Sequence, residues 1–387
     1  MTILIITRGV PTENNPLNGN FEMTQALALK KMGHEVIVAA IGYRAPNPKY
    51  LLRIMDDIRM KHYIQSGIHI YKKYCLSLPS RFIRGLNSNI MAKILIDLYE
   101  EIVKTHGKPD IAHAHYLFIS SAAVVLKKKY ALPLVCTEHW SRMNMENLPN
   151  GLYRLGKGTY PFVDRVIAVS QSLAHKIHTN FHVECTVIYN MVDSSFFDKS
   201  CLRIMQCEHF KFISVGHLIY PKGHDILIKA FSKANLGEYV TLSIVGAGVE
   251  EKNLRKLIRQ LGLTERVFLL GLKNKEEVRD LLLQSDAFVL TSRKETFGVV
   301  YIEAMAKGLP VIATACGGPE EFVNENNGLL VPVNDVESTA EALVEMYSGH
   351  DMYDKSAISE YCMANFSEKE IVRKIVEVYN DVLIRKQ

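Results

Sequence analysis

The sequence contains no apolar run long enough to cross a membrane and no recognisable secretion signal. Its first apolar segment, Thr2-Ile3-Leu4-Ile5-Ile6, has the length of a strand, whereas a membrane-spanning helix needs about 20 residues. The N-terminus also lacks the charged region and the cleavage site of a signal peptide. We therefore expect a chain that is made in the cytoplasm and stays there.

Paired cysteines are also missing. The chain has seven cysteines and none of them form a Cys-x-x-Cys pair, so zinc-finger and thioredoxin-like chemistry have no support. A scattered, odd-numbered set in a cytosolic chain indicates reduced thiols that mostly fill the core. The seven are Cys75, Cys136, Cys185, Cys201, Cys207, Cys316 and Cys362.

What the chain does have is enough apolar material for two domains. It has 387 residues, of which 48% are hydrophobic and 22% charged, which argues against disorder. Charge is uneven: residues 1–190 carry 23 Lys and Arg against 13 Asp and Glu, a net +10, and the rest a net −5. The N-terminal half is therefore expected to meet an anion, such as phospholipid, a phosphate-bearing acceptor or nucleic acid. The alternative is a solvated basic face, and no nucleic-acid-binding motif is present.

Strands and helices alternate along both halves of the chain. Apolar, β-branched segments such as 36–40, 134–137 and 212–215 are typical of strands buried on both faces, and helical segments separate them. We predict an α/β chain of two Rossmann-like, doubly wound parallel-sheet domains, at residues 1–195 and 196–387, facing across a cleft. The last helix has apolar residues on one stripe and could pack on either domain, including back on the N-terminal one.

The most informative segment is Glu295-Thr296-Phe297-Gly298, with Glu303 eight residues after Glu295. We predict a helix over 296–307, whose N-terminal amides at Phe297 and Gly298 suit an anion. Glu295 and Glu303 would lie about 12 Å apart along such a helix. That separation is too long for a glycosidase pair, whose carboxyl groups lie roughly 5–10 Å apart. Each carboxylate is instead expected to accept hydrogen bonds from hydroxyls of one long ligand, as a sugar and a ribose offer.

In this setting the Glu-x7-Glu pattern resembles the signature of the retaining family 4 glycosyltransferases, which have the GT-B fold. Further segments over nearly the whole chain are similar to family positions. They are Pro16-x-x-Gly19, Gly33-His34-Glu35-Val36, Asp110-x-x-His113-x-His115, Thr137-Glu138-His139, Val215-Gly216-His217 with Lys222-Gly223, Val245-Gly246-Ala247-Gly248, Gly271, and Gly317-Gly318-x-x-Glu321.

The resemblance implies transfer of a sugar from a UDP- or GDP-sugar to a glycan or lipid-linked acceptor in polysaccharide biosynthesis, with retention and without a metal or other cofactor. Catalytic roles would fall to Glu295 (donor sugar hydroxyls), Lys222 (the departing diphosphate) and His139 (the donor sugar). The donor-binding set would be Gly19, Gly216, His217, Thr296, Phe297, Gly298 and Glu303, with Glu303 on the ribose. A front-face displacement is the first choice of mechanism, and a double displacement the second.

Two positions depart from the family pattern. His217 stands where the family usually has Arg, so a weaker phosphate clamp, a substitute cation or a changed donor are the alternatives. Asn20 follows Gly19 where a second glycine is usual, and we expect it to cap the helix. His113 and His115 lie on one side of a strand, but without a third ligand we expect a buried, hydrogen-bonded pair rather than a metal site.

Three rival functions stay open at this point. One is a catalytically weak or silent relative that binds a nucleotide-sugar, another a sugar-nucleotide epimerase, and the third a phosphorylase. NAD binding is not expected, because Glu251 occupies the third glycine position of the dinucleotide pattern that starts at Gly246. The basic stretch from Lys49 to Lys93 is expected to shape an acceptor cleft or to touch an anionic membrane surface peripherally.

Overall fold

The computed structural model describes residues 1–12, 18–44, 58–76, 86–145, 147–198 and 209–385. It contains two compact units. Met1–Tyr189 and Glu368–Gln387 form unit 1, and Asn190–Ser367 forms unit 2. The boundary predicted from the sequence lies between residues 195 and 196, and the segment from Glu368 onward belongs to unit 1.

Unit 1 is built on a sheet that has eight strands among the described residues. Its spatial order is β3-β4-β2-β1-β5-β6-β7-β8, and every neighbouring pair is parallel except β3–β4. The strands are β1 (Thr2–Thr7), β2 (Glu35–Arg44), β3 (Lys61–Gln65), β4 (Ile68–Leu76), β5 (Ile111–His115), β6 (Leu134–Glu138), β7 (Arg165–Ala168) and β8 (Cys185–Val187). Strands β5 and β6 are buried along their whole length, as expected for a sheet covered on both faces.

Helices connect and cover these strands. They are α1 (Asn20–Lys31), α2 (Leu86–His106), α3 (Leu117–Tyr130), α4 (Asn150–Lys157), α5 (Gln171–Phe181) and, from the end of the chain, α12 (Glu368–Ile384). The predicted apolar stripe of α12 is confirmed, because Ile371, Ile375, Val378 and Val382 are all buried. A hydrophobic core joins β1, β2 and β5 to α2 and α3.

Unit 2 repeats the architecture with a fully parallel sheet, six-stranded within the described residues, in the order β11-β10-β9-β12-β13-β14. The strands are β9 (Phe210–Val215), β10 (Val240–Val245), β11 (Val267–Leu269), β12 (Ala287–Leu290), β13 (Val311–Thr314) and β14 (Gly328–Val331). The helices are α6 (His224–Ala234), α7 (Glu251–Gln260), α8 (Lys275–Leu283), α9 (Val299–Ala306), α10 (Val336–Gly349) and α11 (Lys355–Phe366). Two Rossmann-like, doubly wound domains are thus confirmed.

The order of the strands fixes where each unit can bind a ligand. In unit 2 the chain runs from β9 to β10 and β11 on one side, then returns to β12 and continues on the other. In unit 1 the chain turns back in the same way between β1 and β5. Doubly wound sheets bind ligands at such switch points, outside the carboxyl ends of the strands. The loops after β9 and β12, and those after β1, β5 and β6, are therefore the segments where a ligand is expected to bind.

Candidate functional site

An ion pair lies at the switch point of unit 2. Lys222 follows β9, Glu295 follows β12, and the Lys222 Nζ donates to the Glu295 Oε2 at 2.5 Å. Both side chains are mostly buried, with exposed fractions of 20% and 14%. The Ser292 hydroxyl donates to the same carboxylate oxygen at 3.3 Å. The structure therefore brings together two residues that the sequence predicted as catalytic, 73 positions apart along the chain.

The loop carrying Lys222 is held against the loop carrying Glu295 by a second pair. The Arg293 guanidinium donates to both carboxylate oxygens of Asp225, at 2.9 and 2.8 Å, and to the Tyr220 carbonyl at 2.6 Å. It also stacks on the Tyr220 ring at 3.9 Å. These contacts lower the pKa of Asp225 from its ordinary value, against the opposing effect of burial, and they fix the turn that presents Lys222.

Sequence reasoning did not single out Arg293 and Asp225. They lie 68 positions apart, and neither stands in one of the segments that resemble the family. A bidentate Arg–carboxylate pair is geometrically specific, but its partners can be matched only once the two strands are known to be neighbours. No signal within either segment would have found the pair.

The helix predicted from 296 begins later than expected. Helix α9 begins at Val299, with Gly298 as its N-cap, so Glu295 lies in the loop before the helix and the predicted start is wrong. Gly298 has φ +95, and a Cβ there would lie 2.6 Å from the Tyr301 ring and 3.1 Å from Glu295 Cγ. A residue without a side chain is thus required beside the carboxylate-bearing loop.

The loop before α9 is also fixed by a neighbouring backbone. Residue Glu295 forms an isolated parallel bridge with Gly317, and a Cβ on Gly318 would lie 2.3 Å from the Cα of Phe297. The Phe297 ring is buried and packs against Phe322 at 5.2 Å between ring centroids. Its side chain therefore anchors the loop in the core, and Thr296 beside it is buried as well.

Glu303 lies on α9 and is partly buried. Burial raises its pKa to about 7, with a smaller opposing effect of Lys275 and a reinforcing effect of Asp193. Lys275 and Asp193 form their own ion pair, with Nζ and Oδ2 2.7 Å apart. A carboxyl group that titrates near neutral pH is a typical feature of functional sites.

Gly216 and His217 begin the loop after β9. A Cβ on Gly246 would lie 1.9 Å from the Gly216 carbonyl oxygen, so this loop packs directly on the loop after β10. The His217 side chain is exposed. Beneath the loop lies a second histidine that sequence reasoning did not single out: His224 is 2% exposed, and burial together with the Lys222 charge lowers its pKa to about 4. His224 is therefore neutral, and the fixed charge of this loop comes from Lys222.

In unit 1, Gly19 and His139 come together at the carboxyl edge of the sheet. Gly19 is the N-cap of α1 with φ +75, and a Cβ there would lie 2.0 Å from the Gly9 carbonyl oxygen. The cap predicted at Asn20 is therefore wrong, since Asn20 is already helical. Two residues on, the Phe21 ring stacks on His139 at 6.1 Å between centroids.

His139 is positioned by its neighbours on β5 and β6. Its Nε2 lies 3.0 Å from the His115 Nδ1. The preceding Glu138 is fully buried and accepts from the amides of Leu117, His139 and Trp140, at 2.8, 3.0 and 2.8 Å. Burial raises the pKa of Glu138 to about 7, against these hydrogen bonds. The carboxyl group thus ties the turn that carries His139 to the start of α3.

His113 is fully hydrogen-bonded, as predicted. Its Nδ1 lies 2.6 Å from the Tyr379 hydroxyl and 3.0 Å from the Gln25 amide nitrogen, and its Nε2 lies 2.7 Å from the Thr137 hydroxyl. These contacts join α1, β5, β6 and α12. His115 differs in part, because its Nε2 is buried without a partner among the described residues.

The basic stretch from Lys49 to Lys93 is described only in part. Arg53, Arg81 and Arg84 lie outside the described residues. Within them, Lys73 pairs with Asp97 at 2.7 Å, and the Lys72 ammonium lies over the Tyr74 ring. None of the helices in the described part of the chain combines the length and the apolar character that crossing a membrane requires.

Both units match families of known proteins. Residues 23–196 match the model described as Glycosyltransferase Family 4, and residues 207–360 match the model described as Glycosyl transferases group 1. N-acetyl-alpha-D-glucosaminyl L-malate synthase of Bacillus anthracis is 28% identical over 92% of this chain and 91% of its own. TuaC of Bacillus subtilis, which is named provisionally as a teichuronic acid biosynthesis glycosyltransferase, is 26% identical over 89% of this chain and 88% of its own length.

A solved structure shows the same architecture. The Anabaena protein HepE, crystallised with UDP and glucose, is 21% identical and superimposes with a TM-score of 0.73 over 98% of this chain and all of its own. The match covers both units. It supports the two-domain fold of the glycosyltransferases of this type.

Proposed function

Because this chain belongs to the group 1 glycosyltransferases of the family 4 type, with the GT-B fold, we propose that it transfers a sugar from a UDP- or GDP-sugar to a glycan or lipid-linked acceptor in polysaccharide biosynthesis. The transfer would retain the anomeric configuration. It would use no metal or other cofactor, since Lys222 supplies a positive charge for the diphosphate.

The observation that carries this proposal is the Lys222–Glu295 ion pair at the switch point of unit 2. A cation and a hydroxyl acceptor side by side match the two halves of a nucleotide-sugar at its reactive bond. Lys222 would bind the diphosphate, and Glu295 would accept from hydroxyls of the sugar. Glu303, further along α9, would accept from the ribose hydroxyls.

The chemistry follows from where charge develops. Cleavage of the bond between the anomeric carbon and the diphosphate oxygen leaves negative charge on the phosphate. A fixed cation and the N-terminal end of α9 favour that charge and so lower the barrier. In a front-face displacement the acceptor hydroxyl bonds to the anomeric carbon on the side from which the diphosphate leaves. The departing phosphate oxygen then takes the hydroxyl proton.

Further residues and surfaces have roles in this proposal. Gly216, Thr296, Phe297 and Gly298 would present backbone groups to the donor, and exposed His217 would contact the phosphates more weakly than the usual Arg. In unit 1, Gly19 and His139 would contribute to donor binding. The basic stretch from Lys49 to Lys93 would touch an anionic membrane surface, and the purified chain should then bind anionic vesicles at low salt but not at high salt.

The function is tested by following donor turnover with proton NMR. A panel of UDP-glucose, UDP-N-acetylglucosamine and GDP-mannose would be incubated with candidate acceptors, including L-malate, because the name of the Bacillus anthracis relative contains it. We expect release of one nucleoside diphosphate together with a product of unchanged anomeric configuration. Glu295→Gln should slow this release, and Glu341→Gln, an exposed glutamate on α10, should not.

The other outcomes identify the rivals. A donor converted into an isomeric nucleotide-sugar without release of nucleoside diphosphate would indicate an epimerase. A donor that binds but is not turned over with any of the acceptors would indicate a catalytically silent relative. An inverted product would exclude the front-face mechanism while leaving the transferase assignment intact.

A further inference from the structure

Three histidines converge on the antiparallel edge of the unit 1 sheet, away from the loops considered above. His62 lies on β3, His69 on β4 and His106 at the end of α2. In the β3–β4 register His62 is opposite Tyr71, and His69 is opposite Ile64. His62 and His69 are therefore diagonal neighbours on one face of the hairpin, within reach of each other's side chains.

The rings are close enough to share a ligand. The Nε2 of His62 lies 2.9 Å from the Nδ1 of His69, and the His69 and His106 ring centroids lie 4.5 Å apart at an angle of 64°. One ring nitrogen from each of the three residues lies within 4.8 Å of the other two. Two nitrogens on a tetrahedral zinc ion lie roughly 3.3 Å apart, so small side-chain rotations would bring the set to coordination distance.

The surroundings resemble those of histidine ligands in metalloproteins. The hydroxyl of Tyr71, a side chain only 2% exposed, lies 2.9 Å from the His106 Nε2. An imidazole has two nitrogens, so such a contact leaves the other nitrogen for a metal and fixes the ring plane. The Glu35 carboxylate is also near enough to His106 to interact with it electrostatically, which would offset part of the charge of a bound cation.

We propose that His62, His69 and His106 form a binding site for a divalent transition metal, with zinc as the best-suited ion. Imidazole nitrogen suits zinc, copper and nickel, and three histidines leave one position on a tetrahedral ion for water. The bound ion would clip the β3–β4 hairpin to the end of α2. The site lies outside the proposed donor-binding residues.

The competing explanation is a purely hydrogen-bonded trio. His62 and His69 in their neutral forms satisfy each other when one nitrogen donates and the other accepts. Both explanations use the same contacts, but only one of them predicts saturable binding of a metal that depends on all three rings.

The test uses the full chain without a polyhistidine tag, stripped of metal with a chelator. Zinc is titrated by competition with a chromophoric chelator, and cobalt is followed by its visible absorption. We expect one zinc per chain, and the cobalt spectrum of a low-coordinate site. Tyr71→Phe removes a hydrogen-bond partner of a metal ligand and should weaken zinc binding by about 10- to 100-fold. His62→Ala and His69→Ala each remove a ligand and should weaken zinc binding by more than that. His175→Ala, an exposed histidine on α5, is the matched control.

A second readout separates the site from non-specific surface binding. Zinc should raise the Tm of the wild-type chain and of His175→Ala, but not that of His62→Ala. Because the His62 ring is exposed, its removal should leave the fold of the metal-free chain intact. Zinc binding that is equal in the wild-type chain and in His62→Ala would overturn the proposal. Absence of saturable binding in the wild-type chain would overturn it as well.

Discussion

Replacing Lys222 by Met removes the positive charge opposite Glu295 and keeps a side chain of similar length. If Lys222 binds the diphosphate, the variant loses a hydrogen bond to a charged group, worth about 1.5–3 kcal/mol. That corresponds to about a 10- to 100-fold weaker Kd for UDP or GDP. The affinity for uridine or guanosine should not change, because a nucleoside carries no phosphate.

The ion pair makes an opposite prediction for its other member. Glu295→Gln removes a carboxylate whose Oε2 lies 2.5 Å from the Lys222 ammonium. The freed ammonium then faces the diphosphate without a competing anion, so UDP or GDP should bind at least as tightly as to the wild-type chain. Turnover of the nucleotide-sugar should nevertheless fall by about 100-fold, because the carboxylate that orients the sugar hydroxyls is lost and a misplacement of about 1 Å has that cost.

Titration calorimetry with each nucleoside diphosphate and its nucleoside measures these effects. Lys229 is exposed on α6, the helix that follows the Lys222 turn. Lys229→Met is therefore the control for loss of a positive charge. Because removing one member of a mostly buried ion pair leaves the other charge without its partner, urea unfolding of each variant checks that the chain is folded under the conditions of the titration. The reasoning is refuted if Lys222→Met weakens nucleoside and nucleoside diphosphate alike, or if Glu295→Gln loses as much diphosphate affinity as Lys222→Met does.

Three further predictions concern single positions. The pKa of Glu303 is raised to about 7, and its ionised form would accept from the ribose. The nucleotide affinity measured by calorimetry should therefore rise about 30-fold from pH 5.5 to pH 8. Glu303→Gln should abolish this pH dependence. Glu138→Gln turns an amide N–H toward backbone N–H donors, so urea unfolding should show a loss of about 2–4 kcal/mol; an unchanged midpoint would contradict the buried network. Gly298 has φ +95, and a Cβ there would lie 2.6 Å from a carbon of the Tyr301 ring. Gly298→Ala should therefore lower the free energy of unfolding by about 1–3 kcal/mol and abolish turnover. Gly237 has open space around it, so Gly237→Ala should do neither.

Local pattern was sufficient to predict the two sheets. Segments such as 134–137 and 287–290 are apolar and β-branched or aromatic, and the structure buries them completely, because a parallel sheet is covered on both faces. The β3–β4 hairpin was not predicted. Its strands place Lys61, Lys72 and Lys73 among the apolar residues, which hides the alternation that identifies a half-buried strand.

The candidate site was predictable as a set of residues but not as an arrangement. Glu295 and Lys222 stand in recognisable motifs, whereas the late start of α9 depends on Gly298 and on the backbone of residues 317–318 packing against the preceding loop. The Arg293–Asp225 pair likewise depends on β9 and β12 being neighbours. Such contacts join segments that lie far apart in the chain, so no local propensity reports them.

Whether unit 2 holds the donor nucleotide is tested by binding of UDP, GDP, ADP and NAD to the wild-type chain and to Glu303→Ala, with Glu341→Ala as the matched control. We expect that one nucleoside diphosphate, UDP or GDP, binds in a single saturable step, that Glu303→Ala abolishes this binding, and that Glu341→Ala preserves it. If no nucleoside diphosphate binds, or if Glu303→Ala binds as the wild-type chain does, the donor site is not where we place it.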